Sequence, residues 1–530
     1  MRIDLREEFP FNMNLRLLAL SALIVPAIAL CTSAAAKDAK GAARPNIVII
    51  LSDDMGFSDL GCFGGEIETP NLDALASGGL RFTEFYNMAR CWPTRATLLS
   101  GRYSDSLSPQ QVTIAERLKP TGYQTGMVGK WHLGLDPKKD GPIQRGFDDF
   151  YGTMTGAGSF WDPYTLTRNT EFTEVDGDDY YYTDKIGSEA VRQIESFAKS
   201  EKPFFQYVAF TAAHWPLHAP EASIQKYIKR YEGGWKKLRE ARYARMLEMG
   251  IIDKQRWPLP KREPRVTDWE TVDHKHWRIR NQAIYAAMVD HMDQAVGEIV
   301  GALKKTGQLD NTLIIYCQDN GACPEHLGGN GWNTANNILA KAKQAGKTVA
   351  VGDQYEVPMG GPLTYGSVGH NWANAQNTPM RRYKSNVHNG GACTPAIMHW
   401  PKGLKTQPGT ISSARGHVVD LMATCLELAG AEYPQEFGGN EISPHESLSL
   451  VPVLEGGSLS RDHAYIFNHS GTHAIVKGDY KIVREGKRSW SLYNLAKNRT
   501  ETIDLAHEQP DRVAELAAVW EARWDKGAKK

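Results

Sequence analysis

The sequence predicts an α/β protein, a sheet covered by helices on both faces, with a smaller C-terminal α+β domain after it. Three observations predict this. Apolar runs at 46–52, 204–210 and 313–317 each end in polar residues, as buried parallel strands do. Helix signatures separate those runs, which is the alternation of an α/β sheet. Near residue 440 the pattern changes to short alternating segments.

Each element has a local reason. The run Asn46-Ile-Val-Ile-Ile-Leu-Ser52 predicts the first strand, with Asp53 and Asp54 just beyond its end. The stretch from Thr69 to Gly78 predicts a helix, with Thr69 as N-cap, Pro70 as first residue and Gly78 as stop. Pro93 is placed to open a helix running toward Leu99, which puts Cys91 at its N-terminus. A long helix is predicted over 281–305, closed by Gly307. The segment 221–280 is charged, with Arg/Lys-rich stretches around Trp235 and over 239–245, and predicts a helical excursion on the surface, near the cleft or at an interface. Segments 464–468, 474–476 and 481–484 predict short strands, and 511–524 a final helix. In such sheets, sites lie outside the carboxyl ends of the strands.

Composition narrows the function classes. The 61 basic and 61 acidic side chains cancel, so charge gives no argument for nucleic acid or an anionic membrane as partner. Arg16, an apolar run over 17–30 and Ser33-Ala34-Ala35-Ala36 read as a secretory signal cut after Ala36, too short for a membrane span. This predicts an exported protein, periplasmic or secreted, with a main domain over 44–435 and a small domain over 440–530. Met13 is an alternative start. Seven cysteines occur without a CxxC pair, so a zinc site is not indicated. Export permits a disulfide, with Cys317 and Cys323 as one pairing that the sequence does not establish.

Six motifs carry chemistry. In Cys91-Trp-Pro93-Thr-Arg95-Ala-Thr-Leu-Leu-Ser100-Gly101-Arg102, the helix start favours an anion at Cys91, and Arg95 returns to it after one turn. An isolated cysteine would read as an ordinary buried thiol. Asp53 and Asp54 repel each other unless a cation is present, and their hard oxygens suit calcium or magnesium. Asp319 and Asn320 follow the 313–317 strand and offer two more oxygens. A solvated turn is the plain alternative for either pair. Lys130 and His132 lie two apart, so in an extended segment they share a side. His214 and His218 follow the 204–210 strand, and Lys384 and Asn389 lie within Arg381-Arg-Tyr-Lys384-Ser-Asn-Val-His-Asn389-Gly-Gly391.

Together these motifs resemble the type I, formylglycine-dependent sulfatase family, most closely its bacterial arylsulfatase branch, from Asn46 to the C-terminus. The resemblance implies an alkaline-phosphatase-like α/β/α sandwich. It implies that a maturation enzyme oxidises Cys91 to formylglycine, and that Asp53, Asp54, Asp319, Asn320 and the modified Cys91 hold Ca2+. It assigns sulfate binding and proton transfer to Arg95, Lys130, His132, His214 and Lys384, with Asp319 as base. The implied reaction is hydrolysis of sulfate monoesters of aryl alcohols or carbohydrates, the choice resting on loops such as 153–182 and 221–280. One departure stands out: Asn389 occupies the place of a family Glu. His218 lies outside the shared set and is a substrate-pocket candidate. A phosphate- or phosphonate-ester hydrolase of the same fold and a non-catalytic binding protein are the competing readings.

Overall fold

A computed structural model of the chain describes residues 44–177, 179–327, 342 and 346–525. The predicted export signal lies outside the described residues. Ten strands form the main sheet: β1 (Asn46–Ser52), β2 (Leu80–Tyr86), β3 (Gln124–Lys130), β4 (Asp149–Thr153), β5 (Leu166–Arg168), β6 (Glu171–Phe172), β7 (Phe204–Ala209), β8 (Thr312–Gln318), β9 (Cys393–His399) and β10 (Thr410–His417). Their spatial order is β10-β2-β9-β8-β1-β7-β3-β4-β5-β6. The centre is parallel: β1 pairs with β7 and β8, and β3 with β7 and β4. β9 runs antiparallel between β2 and β8.

The period of two along β1 divides the core. Val48 and Ile50 join one apolar cluster, and Ile47, Ile49 and Leu51 join another. The first cluster takes in the helices Tyr182–Phe197 and Lys275–Lys305; the second takes in the helix Leu421–Ala429. Burial on both faces explains why β1 reads as one unbroken apolar run.

Several expectations need adjusting. The long helix begins at Lys275, six residues earlier than predicted. Helix α1 (Pro70–Ser77) has the expected bounds, but Thr69 does not cap it: its hydroxyl bonds Gly61 N and Asp73 Oδ1. The amides of Asn71 and Leu72 instead donate to Asp293 on the long helix, at 3.0 and 2.8 Å. The 221–280 segment supplies the helices Glu221–Tyr227 and Gly234–Glu248, yet it is no mere surface excursion. Arg242 is fully buried on Asp59 and Glu66, and Trp235, Trp257, Trp269 and Trp277 are buried with it. The six described cysteines are all buried and free, so Cys317 and Cys323 are not paired.

The C-terminal region holds the antiparallel strands Tyr465–His469, Thr472–Lys477, Tyr480–Glu485 and Ser491–Asn494, the last beyond those predicted. The helix Pro510–Asp525 closes the described chain. Trp520 of this helix donates its indole N–H to Phe467 O at 3.0 Å.

Candidate active site

The site forms where β1, β8 and helix α2 (Cys91–Ser100) meet. Asp53 and Asp54 leave β1; Asp319 and Asn320 leave β8, its parallel neighbour. Adjacent parallel strands therefore deliver both pairs, three carboxylates and one amide, to one end of the sheet. Among the described residues, one oxygen each of Asp53, Asp54 and Asp319 lie within 4.8 Å of one another. Asp53, Cys91 and His214 satisfy the same limit.

Helix α2 opens at Cys91 itself, with Arg90 as N-cap, and Pro93 is its third residue rather than its first. Proline is tolerated there because the first-turn amides have no partner within the helix. Cys91 stands at the helix start as expected, 1% exposed, and burial pushes its thiol pKa up.

Cations fill the space between the carboxylates. Arg95 donates to Asp319 Oδ2 at 2.8 Å, Asp53 Oδ2 at 3.2 Å and Lys130 O at 2.8 Å. Lys130 Nζ lies 2.5 Å from Asp53 Oδ2, and Lys384 Nζ 2.7 Å from Asp54 Oδ1. Burial alone would lower the Lys384 pKa, but the Asp54 carboxylate overrides it and holds the amine well above its usual range. Burial, reinforced by Asp53, pushes Asp319 up to about 7. Three carboxylates thus face Arg95, Lys130 and Lys384, and formal charge balances.

The imidazoles sit at the margin. His214 Nε2 is 3.5 Å from Asp54 Oδ2, and its Nδ1 is 2.6 Å from Trp215 O, so Nδ1 carries the proton. Burial, then Lys384, holds the His214 pKa well below its usual value. His132 does not share a strand face with Lys130. β3 ends at Lys130 and His132 is left-handed at φ 58°, its ring edge-on to Trp92 at 5.7 Å. Burial holds the His132 pKa well below its usual value too, and its Nδ1 has no partner. His218 is not a pocket residue: its ring accepts from Phe160 N and contacts Thr364 O, and it is 1% exposed.

Asn389 has a complete set of partners. Its side-chain amide donates to Arg499 O at 2.8 Å and accepts from Lys481 Nζ at 2.8 Å. Lys481 is also 2.8 Å from Glu501, whose carboxylate receives Asn389 N. A carboxylate is thus present beside position 389, supplied from the C-terminal region.

A charged rim escaped the sequence reading. Glu325 accepts from Arg90 at 2.5 Å and Trp215 Nε1 at 2.7 Å, and lies 3.8 Å from Lys384 Nζ. Burial alone would raise its pKa, but Lys384 and Arg90 hold it far below the carboxylate range. The Arg90 guanidinium lies 5.0 Å from the Trp92 ring centre, and His469 of the C-terminal sheet is edge-on to Trp92 at 5.5 Å. Arg90 and Trp92 flank Cys91 and could have been noticed; nothing in the sequence ties His469 to them.

The donor set fits a hard divalent ion. Asp53 Oδ1 and Asn320 Oδ1 are buried acceptors without a partner, in a group of acidic oxygens that one cation can reach. A cation of charge two would leave the balanced site positive, as an anionic ester requires.

The family model described as Sulfatase matches residues 45–431. The chain belongs to the sulfatase family. An uncharacterized sulfatase of Schizosaccharomyces pombe is 31% identical over 90% of this chain and 93% of the relative. An arylsulfatase of Klebsiella aerogenes is 33% identical over 79% of this chain and 91% of the relative. The solved structure of Ps i-CgsB in complex with k-i-k-neocarrahexaose has a TM-score of 0.64 at 24% identity, covering 91% of this chain and 92% of that one. This sulfatase is a sulfuric ester hydrolase with the expected α/β core and small antiparallel sheet. Among the described residues, no helix is long and apolar enough to cross a membrane.

Proposed function

We propose that this sulfatase cleaves sulfate monoesters with formylglycine made from Cys91, beside a calcium ion. The observation that carries the reading is the meeting of Cys91, at a helix start, with three buried carboxylates. Asp53, Asp54, Asp319 and Asn320 would hold the ion. When both groups are in place, the hydrated aldehyde supplies the nucleophile and calcium supplies Lewis-acid charge.

The remaining work falls to the chain. Arg95, Lys130 and Lys384 are buried cations that oppose charge gathering on the sulfuryl oxygens. Asp319, buried beside Arg95 and among these carboxylates, serves as the base. Lys384, protonated beside Asp54, supplies the proton for the leaving oxygen, and His214 Nε2, unprotonated and free of the Trp215 contact, relays it. His132, with an unpartnered Nδ1, takes up the proton released as sulfate departs.

The alcohol end of the ester would meet the rim of Glu325, Arg90 and Trp92. An aryl group there must desolvate an ion pair, whereas sugar hydroxyls can bond to it. Sulfated carbohydrate is therefore the preferred substrate class, in line with the neocarrahexaose bound by the relative above. Residues 1–36 support export, and maturation would need a formylglycine-generating enzyme as partner.

The test is direct. Protein co-expressed with a maturation enzyme should show the aldehyde at position 91 by mass spectrometry. It should cleave a sulfate monoester far faster than the phosphate monoester of the same alcohol. A Cys91→Ala variant that keeps sulfatase activity overturns the reading, and faster phosphate cleavage points to a phosphoesterase.

A further inference from the structure

A cavity of about 300 Å³ opens between the helix Gly234–Glu248 and the loop after it, lined by Trp235, Lys236, Arg239, Arg262, Trp269 and Asn374 among others. None of these residues belongs to the catalytic set. Arg239 is half-buried, and its Nη1 donates to Pro260 O at 2.9 Å. Its Nε is buried without a partner. The buried amide Nδ2 of Asn374 is likewise unpartnered. Glu240 also lines the cavity, whereas the other nearby acids are already engaged. Glu263 is shared by Arg381 at 3.6 Å and Arg382 at 3.2 Å, and Asp268 is paired with Arg262 at 3.4 Å. Burial pulls the Arg239 guanidinium down to about 10, with Glu263 and Glu240 offsetting it only in part.

Two unsatisfied donors, one of them on an under-neutralised cation, therefore share a cavity with an exposed lysine and the edges of two indoles. Buried donors left without acceptors are costly, so the cavity is built for an acceptor-rich anion. A guanidinium presents parallel donors that match a planar face of sulfate or carboxylate. The volume exceeds a lone oxyanion and falls at the small end of ligand sites, about 300–1,000 Å³.

We propose that this cavity is a second binding site, separate from the catalytic one, for the sulfate group of a sulfated sugar. Arg239 and Asn374 bond the sulfate oxygens, Lys236 supplies further positive charge, and the indole edges take the sugar ring. Such a site would anchor a sulfated chain while another residue of it is cut. The ligand rests on sulfated carbohydrate as the substrate class, but on no particular catalytic mechanism.

The test uses the full chain carrying Cys91→Ala, so that nothing is turned over. Equilibrium dialysis against N-acetylglucosamine 6-sulfate should find two bound equivalents. Arg239→Gln should lose one of them, with affinity at that site falling at least tenfold, and Lys384→Ala should lose the other. In the Cys91 background, Arg239→Gln should keep the parent rate on a small aryl sulfate, which separates this site from the catalytic reading. The proposal is overturned if Arg239→Gln binds as many equivalents as its parent. It is also overturned if neutral N-acetylglucosamine or inorganic sulfate alone fills the site equally well. Should Arg239→Gln fail to fold, Asn374→Leu replaces an unsatisfied amide with an apolar group of similar size and should abolish the same equivalent.

Discussion

Arg95 ties three parts of the site together, bonding Asp53, Asp319 and the Lys130 carbonyl while fully buried. Removing one partner of a buried ionic group leaves uncompensated charge, which costs about 3–5 kcal/mol. Arg95→Met should therefore lower stability by that order in urea unfolding with chelator present. Added calcium should restore part of it; equal losses with and without calcium would argue against an ion among these carboxylates. Glu325 raises a different expectation. It braces Arg90 and Trp215 and stands 3.8 Å from Lys384. Glu325→Gln should raise KM for a sulfated sugar about tenfold, the worth of one charge-assisted hydrogen bond, and change KM for an aryl sulfate much less. Equal effects on both substrates would remove Glu325 from substrate choice.

At the scale of elements, helix α1 is held by a residue far along the chain. Asp293 accepts from the first-turn amides of Asn71 and Leu72. Burial raises its folded pKa from 3.8 to about 6. The linked stability is fully present below pH 3.8 and is lost as pH rises through 6, at about 1.4 kcal/mol per pH unit at most. The stability lead of the parent over Asp293→Asn, read by urea unfolding, should shrink between pH 5 and pH 7. A constant gap would mean that Asp293 does not titrate there. The Asn389 turn offers a second test. Glu501 already supplies a buried carboxylate beside it. Asn389→Glu, which restores the family residue, puts a second acid next to Glu501 and should cost about 2–4 kcal/mol. Asn389→Glu combined with Glu501→Gln should recover most of that in thermal unfolding. Failure of the double variant to recover would mean that Glu501 does not take the family residue's place.

For the whole molecule, a metal that binds only the folded state should set apparent stability. Calcium at about a hundred times its Kd would stabilise by about 2.7 kcal/mol. Thermal unfolding should therefore shift down on chelation and return on adding calcium. A melting temperature indifferent to chelator would contradict the proposed ion. The large mixed sheet makes this coupling global, because β1 and β8 carry both the core and the carboxylates.

The sequence alone was enough for β1 and β8, because burial on both faces of a parallel strand leaves a local mark, and for a helix near Cys91, though not for its first residue. Cys91, Asp53, Asp54, Asp319 and Asn320 lie at the ends of these elements, but only the resemblance to the sulfatases, not spacing alone, marked them as candidates. Arg242 was misread as surface because a basic residue in a charged helix carries no local sign of the acids it will meet. Asp293 under α1, Glu501 beside Asn389 and His469 against Trp92 were invisible for the same reason. Each joins segments more than a hundred residues apart in sequence. Secondary structure follows from interactions within a few residues, whereas the choice of partner for a buried charge follows from which segments the packed core brings together.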